Sequence, residues 1–107
     1  MVYILTTVWF PPSKRMEVAK KAIEVAQKMP PDPSLGTVVV PNAIMGSPNG
    51  ITSLGISEVK EGKLEEALNF AVENIMEYVD IEGFNYRIDL ANTQAEAMTL
   101  LDLKMPE

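Results

Sequence analysis

Two places in the chain set polar groups beside aromatic rings in a way that allows chemistry. The first is Trp9-Phe10-Pro11-Pro12-Ser13-Lys14-Arg15, where an apolar strand runs into two prolines and a helix then opens with two cations. A helix N-terminus favours negative charge, so Lys14 and Arg15 stand against the local field. Ser13 is the natural N-cap there. The free N–H groups of the first turn, the Ser13 hydroxyl, Lys14 and Arg15 would together make an anion-binding corner. Phe10 would supply its apolar wall, and Tyr86 on a neighbouring strand a phenol. The expected ligand is a small apolar molecule carrying a carboxylate or similar anion. The simpler alternative is that both cations are solvated, or pair with acids of the second half, and that Trp9 belongs to a subunit interface. Cations in a first turn cost only about 0.3–1 kcal/mol. The second place is Glu58, which continues the alternation of a strand toward the helix-facing side. A carboxylate buried there would have a raised pKa and could act as a general base. Its simpler reading is the solvated end of a strand. Glu58 and Tyr86 are thus the only catalytic candidates.

The chain has no cysteine and no histidine. That closes disulfide frameworks, thiolate nucleophiles, Ser-His triads and the usual zinc or haem ligand sets, so no metal and no cofactor are expected. No dinucleotide or phosphate-loop fingerprint is present either. The net charge of −6 argues against nucleic acid, which needs a basic surface. The charge is uneven: residues 1–36 carry five cations against three acids, and residues 37–107 four against twelve. These two parts are expected to face one another within the fold or across an oligomer. No apolar run approaches the roughly 20 residues of a membrane span. The opening MVYILTTVWF alternates like a strand and lacks a basic n-region, so it reads as mature structure in a cytoplasmic protein.

The elements that must position these groups follow from periodicity. At 107 residues, 47% of them hydrophobic, the chain suits one two-layered domain over 1–107. Val2 to Phe10 reads as a strand with both faces apolar: Val2, Ile4, Thr6, Val8 and Phe10 on one, Tyr3, Leu5, Thr7 and Trp9 on the other. Met16 to Met29 is an amphipathic helix, with Glu17–Lys21 and Glu24–Lys28 as i,i+4 pairs. A second strand runs from Thr37 to Met45, and Pro41 confines it to a sheet edge or a bulge. Ser47-Pro48-Asn49-Gly50 is a turn, which makes a hairpin with a third strand from Ile51 to Val59. A second helix covers about Lys63 to Asp80, with Phe70 among the acids of its polar side. A fourth strand runs from Phe84 to Ala91. Thr93-Gln94-Ala95-Glu96 has the form of a capping box and opens a short helix to about Leu103.

The order β-α-β-β-α-β-α, with right-handed crossovers, predicts a ferredoxin-like α+β fold. Its four-stranded antiparallel sheet would have the order 4-1-3-2, with two helices on one face. The opposite face is expected to hold Tyr3, Leu5 and Trp9, small Ser53 and Gly55 beside them, and Arg87 and Asp89. So much exposed apolar surface calls for cover, and a second copy related by a two-fold axis is the simplest cover, so a homodimer is expected. The C-terminal helix is the rival cover.

A ferredoxin-like unit of this length with a two-sided central strand resembles the dimeric α/β-barrel superfamily. That group includes cofactor-independent monooxygenases, muconolactone-type isomerases, haem-degrading proteins and stress-responsive barrels. The haem-degrading members typically use a histidine, which this chain lacks, and no catalytic residue of any member maps onto it. Two functional readings stand. One is a homodimeric module binding a small apolar or acidic molecule or a protein partner. The other is a cofactor-independent monooxygenase or isomerase for a small activated apolar substrate. An enclosed pocket holding a titratable group would favour the enzyme.

Overall fold

The computed structural model describes residues 1–104 and 106. The strands are β1 (Val2–Phe10), β2 (Gly36–Ser47), β3 (Gly50–Val59) and β4 (Asn85–Asn92); the helices are α1 (Arg15–Lys28), α2 (Leu64–Met76) and α3 (Gln94–Leu100). The strands form one sheet in the order β2-β3-β1-β4, with every neighbouring pair antiparallel. This is the expected 4-1-3-2 order, read from the other side.

Proline placement explains much of the local structure. Pro11 ends β1 because it has no N–H to give to the ladder. Pro12 then opens a short 3-10 turn, Pro12–Lys14, which leads directly into α1. Ser13 lies inside that turn and caps nothing; the position before α1 is Lys14, without a side-chain cap. The expected Ser13 N-cap is therefore corrected. A proline at the first position of the turn already lacks the N–H that a cap would satisfy. Pro41 lies on the edge strand β2, as its missing donor requires, and the β2–β3 register shifts between Val40 and Ala43. In that shift Pro41 and Asn42 stand opposite the single residue Gly55, which is the two-against-one count of a bulge.

The hairpin from β2 to β3 closes with Ser47 paired to Gly50, so its loop is Pro48-Asn49. Gly50 has φ of +111°, and a Cβ there would collide with the Phe10 carbonyl oxygen. Both conditions demand glycine. At the other end of the chain, the Thr93 hydroxyl accepts from the Glu96 N–H while the Glu96 carboxylate accepts from the Thr93 N–H. That reciprocal pair is the capping box expected from the sequence.

Several boundaries differ from expectation: β2 is longer at both ends, and α3 ends at Leu100 rather than near Leu103. α2 stops at Met76, where the Tyr78 N–H bonds back to the Ile75 carbonyl and tightens the last turn. Phe84 lies just before β4, and its ring stacks between Phe10 and Tyr78, with centroid separations of 6.4 and 5.1 Å. The buried apolar residues are Ile4, Phe10, Val25, Val59, Ile75 and Ile81. They come from β1, α1, β3 and α2 and its following turn, so this small core joins the sheet to both helices.

Candidate functional site

The register fixes which side chains share a face. Thr6 pairs with Gly55, Val8 with Ser53 and Ile4 with Ser57, so these six lie together on the inner face of the sheet. Leu5 pairs with Ile56, Thr7 with Leu54 and Trp9 with Thr52, and these form the outer face. The middle of β3 thus turns its small residues inward and Leu54 and Ile56 outward, while Ile51 and Val59 at its ends face inward. The expectation that Ser53 and Gly55 stand beside Tyr3, Leu5 and Trp9 is corrected. Alternation along β3 defines the two sets, but only the pairing with β1 decides which set faces which way. The expected helix-facing direction of Glu58 is corrected on the same ground, since it pairs with Tyr3, an outer-face residue, although Glu58 does border the space over the inner face.

Small residues on the inner face leave space above them. Between that face, α1 and α2 lies a chamber of about 610 Å³. Its walls are apolar, with Val18, Ala22 and Val25 from α1 and Ala67, Phe70, Ala71 and Ile75 from α2. Its floor sets the hydroxyls of Thr6, Ser53 and Ser57 among Ile4, Val8 and Ile51. The bulge of β2 adds Asn42, and the buried Ser53 hydroxyl donates to the Asn42 side-chain oxygen at 2.9 Å. Bulges re-aim side chains in this manner. Chambers of roughly 300–1,000 Å³ with apolar walls and a few placed polar groups are the usual form of small-molecule sites.

One end of the chamber holds the stacked rings Phe10, Phe84 and Tyr78. Burial pushes the Tyr78 phenol above its ordinary pKa, which keeps it a proton donor. Phe70, expected on the polar side of its helix, is half-buried and lines the chamber. Nothing in the sequence marks Tyr78 as a site residue, and Asn42 carries no signal beyond its neighbour Pro41.

The proposed anion corner does not assemble. Ser13 is exposed. The Lys14 ammonium lies 3.3 Å from the Glu17 carboxylate, in its own helix. The Arg15 guanidinium donates to the Pro12 carbonyl at 2.9 Å, although Arg15 also borders the chamber. Phe10 is buried in the ring stack, while Tyr86 is 42% exposed on the edge strand β4 and does not line the chamber. The geometry therefore keeps Phe10 at the site and separates Tyr86 from it.

Charged pairs ring the outside. Lys21 reaches Glu24 at 3.3 Å, an i,i+3 contact in place of the expected i,i+4 pairs. Lys28 instead bonds Glu77 at 2.5 Å, tying the end of α1 to the end of α2. Their hydrogen bond and mutual charge raise the pKa of Lys28 and lower that of Glu77. Asp32 accepts from the hydroxyl and the N–H of Ser34, which lower its pKa. Arg87 and Asp89 pair at 2.7 Å within one chain. Among the described residues no group of three or more potential ligands could hold a metal ion, and no helix is long and apolar enough to cross a membrane.

No protein-family model and no curated protein sequence matches the chain. Solved structures do. A "putative antibiotic biosynthesis monooxygenase" from Deinococcus radiodurans matches 87% of this chain and 92% of its own, with a TM-score of 0.56 and 10% identity. The chain shares the fold of that structure, a ferredoxin-like four-stranded antiparallel sheet with helices. A formyltetrahydrofolate deformylase from Pseudomonas putida KT2440 also matches 87% of this chain but only 29% of its own, with a TM-score of 0.47 and 9% identity. At 10% identity the likeness to the first of these is one of fold, and function must come from the site.

Proposed function

We propose that this protein is a homodimeric α/β-barrel module that binds a small, largely apolar molecule in the chamber between its helices and its sheet. The observation that carries this reading is the floor of that chamber. β3 sets Ser53, Gly55 and Ser57 under the helices, where a packed core would need large side chains. The same inversion supports the dimer. Leu54 and Ile56 join Tyr3, Leu5 and Trp9 on the outer face, and each large side chain covered there contributes roughly 1.5–3 kcal/mol. Arg87, Asp89 and Asn85 edge that face on β4, opposite Thr7, Leu5 and Trp9. The rival cover, α3, leaves Leu100, Leu101 and Leu103 exposed.

A second reading has one observation in its favour. The Tyr78 phenol, held protonated by burial, stands at the chamber wall and could donate to a substrate oxygen. That would suit a cofactor-independent monooxygenase or isomerase, in which the substrate carries most of the chemistry. Binding remains the leading reading, because Tyr86 stands apart from the chamber and Glu58, which borders it, pairs with the outer-face residue Tyr3. Native mass spectrometry of the purified protein tests both parts of the proposal. A dimer that releases a small molecule on activation is expected; a bare monomer would refute it.

A further inference from the structure

We infer that the chamber selects an uncharged molecule bearing hydroxyl or carbonyl oxygens along one edge, apolar on its other side; this rests on the chamber being the binding site. The argument starts from the unpaired groups of the floor. Among the described residues the Thr6 and Ser57 hydroxyls form no hydrogen bond. The Ser53 hydroxyl spends its one hydrogen on Asn42, whose side-chain oxygen is thereby used and whose two amide hydrogens stay unpaired. Thr6 stands beside Gly55, between Ser53 and Ser57 on the adjacent strand, so the polar groups form a row. Residues four apart on a strand are roughly 13 Å apart, which sets the length of that row. A hydrocarbon lying on it would strand each donor away from water, and buried unsatisfied donors are costly.

Charge is disfavoured for a separate reason. An ion enclosed by apolar walls needs a partner of opposite sign. Three charged residues border the chamber: Arg15, Asp32 and Glu58. Arg15 is bonded to the Pro12 carbonyl and Asp32 to Ser34, and both are solvent-exposed. Glu58 pairs with the outer-face residue Tyr3 where it borders the chamber, and its sign, like that of Asp32, would repel an acid. The row therefore matches neutral oxygens, and the acidic ligand expected from the sequence lacks a counter-charge inside.

The test uses three matched fluorescent probes: 2-dimethylamino-6-propionylnaphthalene, the same naphthalene with an alkyl chain in place of the ketone, and its analogue ending in a carboxylate. The ketone should bind saturably and should bind at least about tenfold more tightly than the carboxylate. The double variant Thr6→Val, Ser57→Ala should weaken the ketone about 3–10-fold and tighten binding of the alkyl probe, which no longer strands those donors. Circular dichroism melts of each variant confirm the fold. A carboxylate that binds as tightly as the ketone overturns the inference, as does a double variant with undiminished ketone affinity. No saturable binding of the ketone overturns it as well. Ala71→Phe, which fills the chamber, should abolish binding of all three probes. If it does not, the chamber itself is not the site, and the underlying reading fails separately.

Discussion

Ser57→Leu is expected to stabilise this protein while closing its chamber. Ser57 sits on the inner face between Ile4 and Val38 and makes no hydrogen bond among the described residues, so its loss leaves no partner stranded. Leucine replaces one hydroxyl with three carbons, each worth about 0.8 kcal/mol when fully buried. The chamber is open to solvent at its edges, so only part of that area leaves water. The expected gain is about 1–2 kcal/mol, or roughly 4–8 °C in Tm for each kcal/mol in a domain of this size. The sign is what matters, because forcing extra carbons into a packed floor costs typically 1–3 kcal/mol. Urea denaturation followed by Trp9 fluorescence, at a fixed protein concentration so that assembly does not shift the midpoint, measures it. Probe binding should be lost in the same variant. A destabilisation above 1 kcal/mol would mean that the space over Ser57 is not there, and the reasoning from the inverted β3 would fall with it.

Four further outcomes follow from individual contacts. Gly50→Ala should cost about 2 kcal/mol or more in urea denaturation, since it forces a side chain into positive φ and against the Phe10 carbonyl. Tyr78 has a folded pKa raised by burial, so its contribution is complete below the unfolded value near 10 and is lost as pH rises through the folded value. Wild-type stability should therefore fall more steeply above about pH 10 than that of Tyr78→Phe, and parallel curves would contradict the burial. Leu5→Glu places an acid beside Asp89 and Ile56 on the outer face; sedimentation should report a shift from dimer to monomer, and an unchanged dimer would place the interface elsewhere. Thr93→Ala removes the capping box of α3 and should cost about 1 kcal/mol locally, read as faster amide exchange over Gln94–Leu100.

Much of the fold was legible because a few residues leave little choice. Pro41 could only belong to an edge or a bulge, and it occupies both. Ser47 to Gly50 could only be a tight turn, and Thr93 with Glu96 announced its cap. The candidate site was less legible, because it depends on parity. Alternation separates Leu54 and Ile56 from Ser53, Gly55 and Ser57, but large apolar residues normally face the helices, and here they face away. That choice is set by the hairpin length and by Phe10 pairing with Ile51, which are long-range facts. The anion corner failed for a local reason: consecutive prolines made a 3-10 turn, and Lys14 and Arg15 found partners within a few residues of themselves. Phe70 was misplaced because a helical wheel assumes a narrow apolar arc, whereas a chamber over small residues admits side chains from the flank of α2.

A crystal structure of the protein soaked with 2-dimethylamino-6-propionylnaphthalene tests the central claim most directly. The account predicts the ring system between α1 and α2, with its oxygen within hydrogen-bond distance of Thr6, Asn42 or Ser57. Helices packed down onto Ser53, Gly55 and Ser57, with the probe absent or bound elsewhere, would contradict it.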